Sequence, residues 1–218
     1  MVHKALYWLY FPLVWLYSRL MMKMDIEWLE KLPPGPKIIA ANHPSTTDPF
    51  LIAALAKHPA HILILNTIFK IPVVGTILRA SGHIPVVPQQ GKLAFERAKQ
   101  LLEKGQSVII FPEGLISPAG GFHRPRTGVA RLALATKAQV IPVGIHLDHN
   151  RVKLIQSRID GEDEVGTWYF RGPYHVTFGT PLSFSGDLDD REQVTQIAET
   201  IMDQIKQLSQ RSQQRANV

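Results

Sequence analysis

A single α/β domain with a mostly parallel sheet flanked by helices, preceded by a hydrophobic N-terminal helix, is the fold this sequence predicts. Three observations predict it. Short, nearly continuous apolar runs recur along the chain, as they do in strands buried on both faces. Stretches with a helical apolar repeat separate those runs, the alternation expected of an α/β sheet. A charge-free aromatic stretch, ALYWLYFPLVWLY over Ala5–Tyr17, stands apart from both patterns.

The aromatic stretch comes first. It carries Tyr7, Trp8, Tyr10, Phe11, Trp15 and Tyr17, with Lys4 before it and Arg19 and Lys23 after. Spanning a bilayer core takes about 20 apolar residues in a helix, so this segment is too short, and Pro12 would kink it. Trp and Tyr favour the headgroup level and basic flanks favour anionic lipid, which predicts a helix lying on or half-inserted in a membrane. Burying about six large side chains there contributes on the order of 10 kcal/mol before ordering costs. A core helix and a signal peptide are the other readings; no small-residue cleavage site follows.

Pro33-Pro34-Gly35-Pro36 then breaks the chain. Strands are expected at Ile38–Ala41, Ile62–Leu65, Ile84–Val87, Ser107–Phe111, Val140–Ile145, Trp168–Phe170 and His175–Phe178. Helices are expected at Pro49–Lys57 with Asp48 as N-cap, at Leu93–Leu102 ending at Gly105, and at Val129–Lys137. A last long helix places Val194, Ile197, Ile201, Ile205 and Leu208 on one stripe. The expected organisation is a membrane-associating segment over residues 1–32, an α/β domain over 33–210 and a frayed polar tail over 211–218.

Composition excludes several function classes. The 218 residues hold no Cys, which removes a disulfide framework, a thiolate nucleophile and any Cys-ligated metal centre. A net charge of +6 points to an anionic partner. Nucleic acid is not expected, because no Lys/Arg run interleaved with aromatics occurs. Walker and dinucleotide-binding glycine signatures are absent, and the His58/His61 and His146/His149 pairs lack a patterned third ligand, so no metal is expected.

Two loops carry candidate chemistry. Asn42-His43-Pro44-Ser45-Thr46-Thr47-Asp48 leaves one apolar strand and enters a helix, a position that opens side chains to a crevice. An imidazole there can take a proton at one nitrogen while a carboxylate holds the hydrogen of the other. Taken alone, the pair also fits an Asp N-cap beside a surface His. Phe111-Pro112-Glu113-Gly114 follows a later strand, where a glutamate can bind a hydroxyl or orient a neighbour.

In order along the chain, NHxxxxD, FPEG and the run Val140-Ile141-Pro142-Val143-Gly144-Ile145 make a set that resembles the glycerolipid acyltransferase family, which contains the 1-acylglycerol-3-phosphate acyltransferases. The resemblance covers roughly residues 38–145. It implies an α/β acyltransferase domain at the cytoplasmic face of a membrane, held as a peripheral or monotopic protein. It further implies His43 as general base with Asp48 as its orienter, and Asn42, Glu113 and Gly114 as acceptor-binding positions. The donor would be acyl-CoA or acyl-carrier protein, used as co-substrate with no cofactor, and the acceptor a lysophospholipid. No acyl-enzyme is expected, in keeping with the absence of a G-x-S-x-G elbow.

The chain departs from the family at two places. Gly82-His83-Ile84-Pro85-Val86-Val87-Pro88 lacks the aromatic and arginine of the family's second motif, and Leu115-Ile116 stands where relatives commonly have Thr-Arg. Arg79, Arg124 and Arg126 are the candidate replacements for those phosphate-binding cations, since a guanidinium can grip phosphate with two parallel hydrogen bonds. The apolar Leu115-Ile116 pair suits a less charged acceptor, such as another hydroxyl lipid or a glycolipid. A hydrolase in which His43 activates water, and a catalytically idle lipid-binding relative, are the remaining alternatives.

Overall fold

The computed structural model describes residues 12–56, 58–159 and 161–217. Seven strands form one sheet: β1 (Met24–Trp28), β2 (Lys37–Ala41), β3 (Ala60–Leu65), β4 (Ile84–Val86), β5 (Ser107–Ile110), β6 (Gln139–Leu147) and β9 (Tyr174–Phe178). A separate hairpin pairs β7 (Lys153–Ile159) with β8 (Glu162–Trp168). After the helical residues 12–20, the helices are α1 (Asp48–Leu55), α2 (Val74–Ala80), α3 (Gly91–Glu103), α4 (Gly128–Thr136) and α5 (Arg191–Ala216), with 3-10 turns at Asn66–Lys70 and His149–Arg151.

The strand order is β1-β9-β6-β2-β5-β3-β4. The run from β6 to β4 is parallel throughout, whereas β9 lies antiparallel to β6 and carries β1 parallel beside it. Alternate residues of each central strand enter opposite cores, as the two-residue period of a strand requires. Ile38, Ala40, Val108, Ile110 and Val140 face α3, α4 and α5. Ile39, Ala41, Ile109, Ile141 and Val143 face α1, the aromatic residues Tyr169, Tyr174 and Phe178, and the partly buried Val14 and Tyr17. Parallel strands expose their C-terminal ends on a common edge, and the loops after β2 and β5 meet there.

Helix α5 lies close to β6 because Gly144 has no side chain: a Cβ there would sit 2.1 Å from the Leu208 backbone. Ser209 and Ser212 then donate to the carbonyls of Ile145 and Gly144 at 2.9 and 3.0 Å. Its buried stripe contains Val194, Ile197, Ile201, Ile205 and Leu208, as the period dictates.

Three expectations are corrected. Residues 24–28, assigned above to a membrane segment ending at 32, form β1 and pair with β9 from Met24↔Tyr174 to Trp28↔Phe178. The tail expected from Arg211 is helical to Ala216. Ser212 is fully buried, Arg211 donates to Glu27 at 2.6 and 2.7 Å, and Arg215 donates to Asp25 at 2.7 Å and to Glu27 at 2.5 Å. A polar composition concealed both contacts, because the polar groups close a seam between the two ends of the chain. Of the expected strand Trp168–Phe170, only Trp168 is in a strand, closing β8.

Of the aromatic stretch, Ala5–Phe11 lies outside the described residues, as does Lys57 at the expected end of the first domain helix. Residues 12–20 are helical, with Leu13, Trp15, Leu16 and Leu20 exposed. The Tyr17 hydroxyl donates to the Phe170 carbonyl, and Gly172 N–H donates to Met21 O at 2.9 Å, which ties this segment to the chain entering β9. Among the described residues no helix is long and apolar enough to cross a membrane.

Candidate active site

Asn42 directly follows β2 and is buried. Its side-chain amide donates to Ile145 O at 2.9 Å and accepts from Ile145 N at 2.7 Å, so both ends of the group are engaged by the β6 backbone. That clamp fixes where the next residue leaves the sheet. The His43 ring stacks on Phe111 at a centroid distance of 4.1 Å, and its Nδ1 lies 3.1 Å from Asp48 Oδ2. With Nδ1 bonded to the carboxylate, the proton-accepting position is Nε2.

Asp48 is the first residue of α1, and Thr47, not Asp48, takes the N-cap position. The Asp48 carboxylate turns away from the helix. Oδ2 accepts from Ser45 N at 2.7 Å, while Oδ1 accepts from Ser45 Oγ at 3.0 Å and from Tyr174 OH at 2.7 Å. The cap hydroxyl of Thr47 is also occupied, donating to Tyr169 O at 3.0 Å and accepting from Tyr169 N at 3.2 Å. Thr46 N donates to Thr167 O at 2.7 Å, so the chain from β8 to β9 holds the loop from outside.

The second loop closes against the first. Glu113 is buried, with Oε1 accepting from Ser117 Oγ at 2.5 Å and Oε2 from His123 N at 2.7 Å. Ser117 N in turn donates to His43 O at 2.8 Å, and His43 N donates to Ser117 Oγ at 2.9 Å. The Glu113 carboxylate thus organises the loop from within. Gly114 adopts φ +68°, and a Cβ there would lie 2.6 Å from Arg126 Nε, which puts the Arg126 guanidinium against this turn.

The side chains of the other two candidate cations engage other parts of the fold. Arg124 reaches Glu199 at 3.3 Å with its side chain 79% exposed. Arg79 donates to Phe69 O at 2.7 Å and lines a cavity of about 250 Å³ with Arg97 and His83, beside the β3–β4 end of the sheet. Burial, with a smaller contribution from nearby His61, pushes His83 down to about 4, so that ring is neutral at physiological pH. Among the described residues no three His, Asp or Glu side chains converge on a metal-sized point.

Sequence reasoning missed Ser45, Ser117 and Tyr174. Ser45 sat in view inside the His–Asp motif. Tyr174 lies 126 residues from Asp48 and carries no local pattern that could announce it.

The acyltransferase family model matches residues 23–146, a span that contains both loops. The chain belongs to the acyltransferase family. It is 32% identical over 126 residues to a chloroplastic 1-acyl-sn-glycerol-3-phosphate acyltransferase of Arabidopsis thaliana, covering 56% of this chain and 35% of that one. It is 30% identical over 126 residues to the 1-acyl-sn-glycerol-3-phosphate acyltransferase of Pseudomonas aeruginosa, covering 56% of this chain and 49% of that one. The match therefore spans between a third and a half of these relatives' length. The fold is shared with the 1-acyl-sn-glycerophosphate acyltransferase PlsC of Thermotoga maritima, at a TM-score of 0.59 and 19% identity over 92% of this chain and 94% of that one. Within the span that the family model matches, Arg126 lies beside Gly114 of the second loop.

Proposed function

We propose that this chain is a membrane-associated O-acyltransferase that moves a fatty acyl group from acyl-CoA or acyl-carrier protein to the hydroxyl of a lysophospholipid, 1-acyl-sn-glycerol 3-phosphate being the favoured acceptor. The observation that carries the reading is the His43 Nδ1–Asp48 Oδ2 contact of 3.1 Å, made at the loop edge of the sheet and joined through Ser117 to the FPEG loop. The names of the relatives support the acceptor class.

In this reading His43 Nε2 takes the acceptor's hydroxyl proton as that oxygen attacks the thioester carbonyl. The new C–O bond forms, the tetrahedral oxyanion collapses, the C–S bond breaks, and the departing thiolate takes the proton back from His43. Asp48 holds the ring and stabilises its transient positive charge. A general base of this kind contributes about 10²–10⁴-fold in rate. Arg126 supplies the cation for the acceptor phosphate, in place of the arginine that relatives carry after FPEG. Exposed Leu13, Trp15, Leu16 and Leu20 on residues 12–20 support seating on the cytoplasmic face of a membrane.

The test is acyl transfer from palmitoyl-CoA and from an acyl-carrier protein to lysophosphatidic acid in detergent micelles. His43→Ala should abolish product, and Asp48→Asn should lower turnover by orders of magnitude with folding intact; near-native activity in His43→Ala would overturn the mechanism. Leu115, about half exposed beside the FPEG loop, favours a second reading with an uncharged or glycosylated acceptor. Activity that survives removal of the acceptor phosphate would select it.

A further inference from the structure

Tyr174 belongs to none of the sequence motifs and lies beyond the residues matched by the family model. Its hydroxyl nevertheless ends 2.7 Å from Asp48 Oδ1, and both side chains are fully buried. A carboxylate at the first position of a helix is surrounded by unsatisfied backbone amides of its own first turn and has reason to turn toward them. Here it does not. Ser45 holds it from the loop side and Tyr174 from the β9 side, leaving Oδ2 aimed at His43.

We propose that Tyr174 is a positioning residue for acyl transfer: its hydroxyl fixes the rotation of the Asp48 carboxylate and sets how much negative charge His43 meets. The assignment rests on the reading of His43 as the base. Burial, together with the adjacent Asp48 charge, pushes the Tyr174 hydroxyl well above its ordinary value, so it remains a proton donor throughout the working range. The groups around the carboxylate are His43 and Ser45 from its own loop and Tyr174 from β9. Tyr169 stands next to Tyr174 at a ring distance of 6.2 Å but gives its own hydroxyl to Pro173 O at 2.7 Å.

A donor bonded to one carboxylate oxygen draws charge from the other. Removing it strengthens the attraction of Asp48 for an imidazolium, so a proton stays on His43 to higher pH while the carboxylate loses its fixed orientation. Two effects follow together: kcat falls, and the acidic limb of the kcat/KM profile moves to higher pH.

The test uses the full chain in detergent micelles with palmitoyl-CoA and lysophosphatidic acid. Tyr174→Phe should lower kcat about tenfold or more, the range for a hydrogen bond to a charged group, with KM little changed. The acidic limb should move upward, and the His43 side-chain titration followed by NMR should move with it. Tyr169→Phe removes a neighbouring buried hydroxyl that does not touch Asp48 and should leave the limb in place. In an Asp48→Asn background, Tyr174→Phe should add little further loss. If the phenylalanine variant fails to fold, 3-fluorotyrosine at position 174 keeps the ring and makes the donor more acidic, and the limb should then move downward. An unmoved limb and unmoved titration in Tyr174→Phe, or equal effects from Tyr169→Phe, would overturn the assignment. Activity surviving in His43→Ala would instead overturn the base on which it rests, and the NMR titration would still report whether Tyr174 acts on the His–Asp pair.

Discussion

Ser117 binds Glu113 through a 2.5 Å hydrogen bond while accepting the His43 amide at 2.9 Å, so one hydroxyl joins the two loops of the site. Ser117→Ala removes a donor from a buried carboxylate and an acceptor from a backbone amide. A loss of about 1–3 kcal/mol in stability is expected, since a buried charged group left short of a partner bears most of its desolvation cost. Thermal unfolding checks the stability, and turnover should fall with it because His43 loses its tether.

Arg126 lies against Gly114, and the pair should report on the acceptor. Arg126→Ala is expected to raise KM for lysophosphatidic acid about tenfold or more while leaving KM for an uncharged acceptor nearly unchanged. Steady-state kinetics on the two acceptors makes the comparison. Gly114→Ala should weaken both, because a side chain at φ +68° is strained by about 1–2 kcal/mol and must also displace the guanidinium.

His83 predicts a pH dependence of stability. Its folded value of about 4 lies below the ordinary value of 6.5, so between those limits the unfolded chain binds the extra proton. Stability is therefore complete above pH 6.5 and declines as the pH falls toward 4, with a slope of up to about 1.4 kcal/mol per pH unit from this group. His83→Asn keeps an acceptor for the Ile62 amide and should flatten that slope in denaturant titrations.

Arg215 reaches Asp25, Glu27, Thr177 and the Val176 carbonyl together. The arginines hold both carboxylates below their ordinary values: hydrogen bonds from Arg211 and then Arg215 outweigh burial at Glu27, and Arg215 with His175 outweighs burial at Asp25. That stabilisation is present above the ordinary carboxylate range and is lost as the pH falls through it. Arg215→Ala should cost about 2 kcal/mol at neutral pH and less in acid, as unfolding midpoints at the two conditions will record. Truncation after Gln210 should destabilise further.

The central sheet was legible because its strands are apolar on both faces and its helices carry clean stripes. The His–Asp pair was legible for a local reason: its members sit five residues apart in one loop. What surrounds the pair was not. Asn42 reads as a substrate group in the motif, yet its amide is engaged at both ends by Ile145, a contact across 103 residues. Strand β1 went unread because MDIEW alternates polar and apolar residues beside a membrane-like stretch, and only β9 and the arginines of α5 give it a partner. Glu113 is the opposite case: its hydrogen-bond donors, Ser117 Oγ and His123 N, come from the loop's own later residues, but no periodic pattern marks them.

The pairing of β1 with β9 also orders events during synthesis. Asp25 meets His175 across 150 residues, so residues 24–28 emerge from the ribosome long before the strand they pair with exists. Long-range pairing of this kind forms late. Until β9 is made and α5 follows to supply Arg211 and Arg215, residues 24–28 have neither the strand nor the guanidinium groups that hold them at the sheet edge, so the start of the described chain joins the fold only when its last strand and helix are complete.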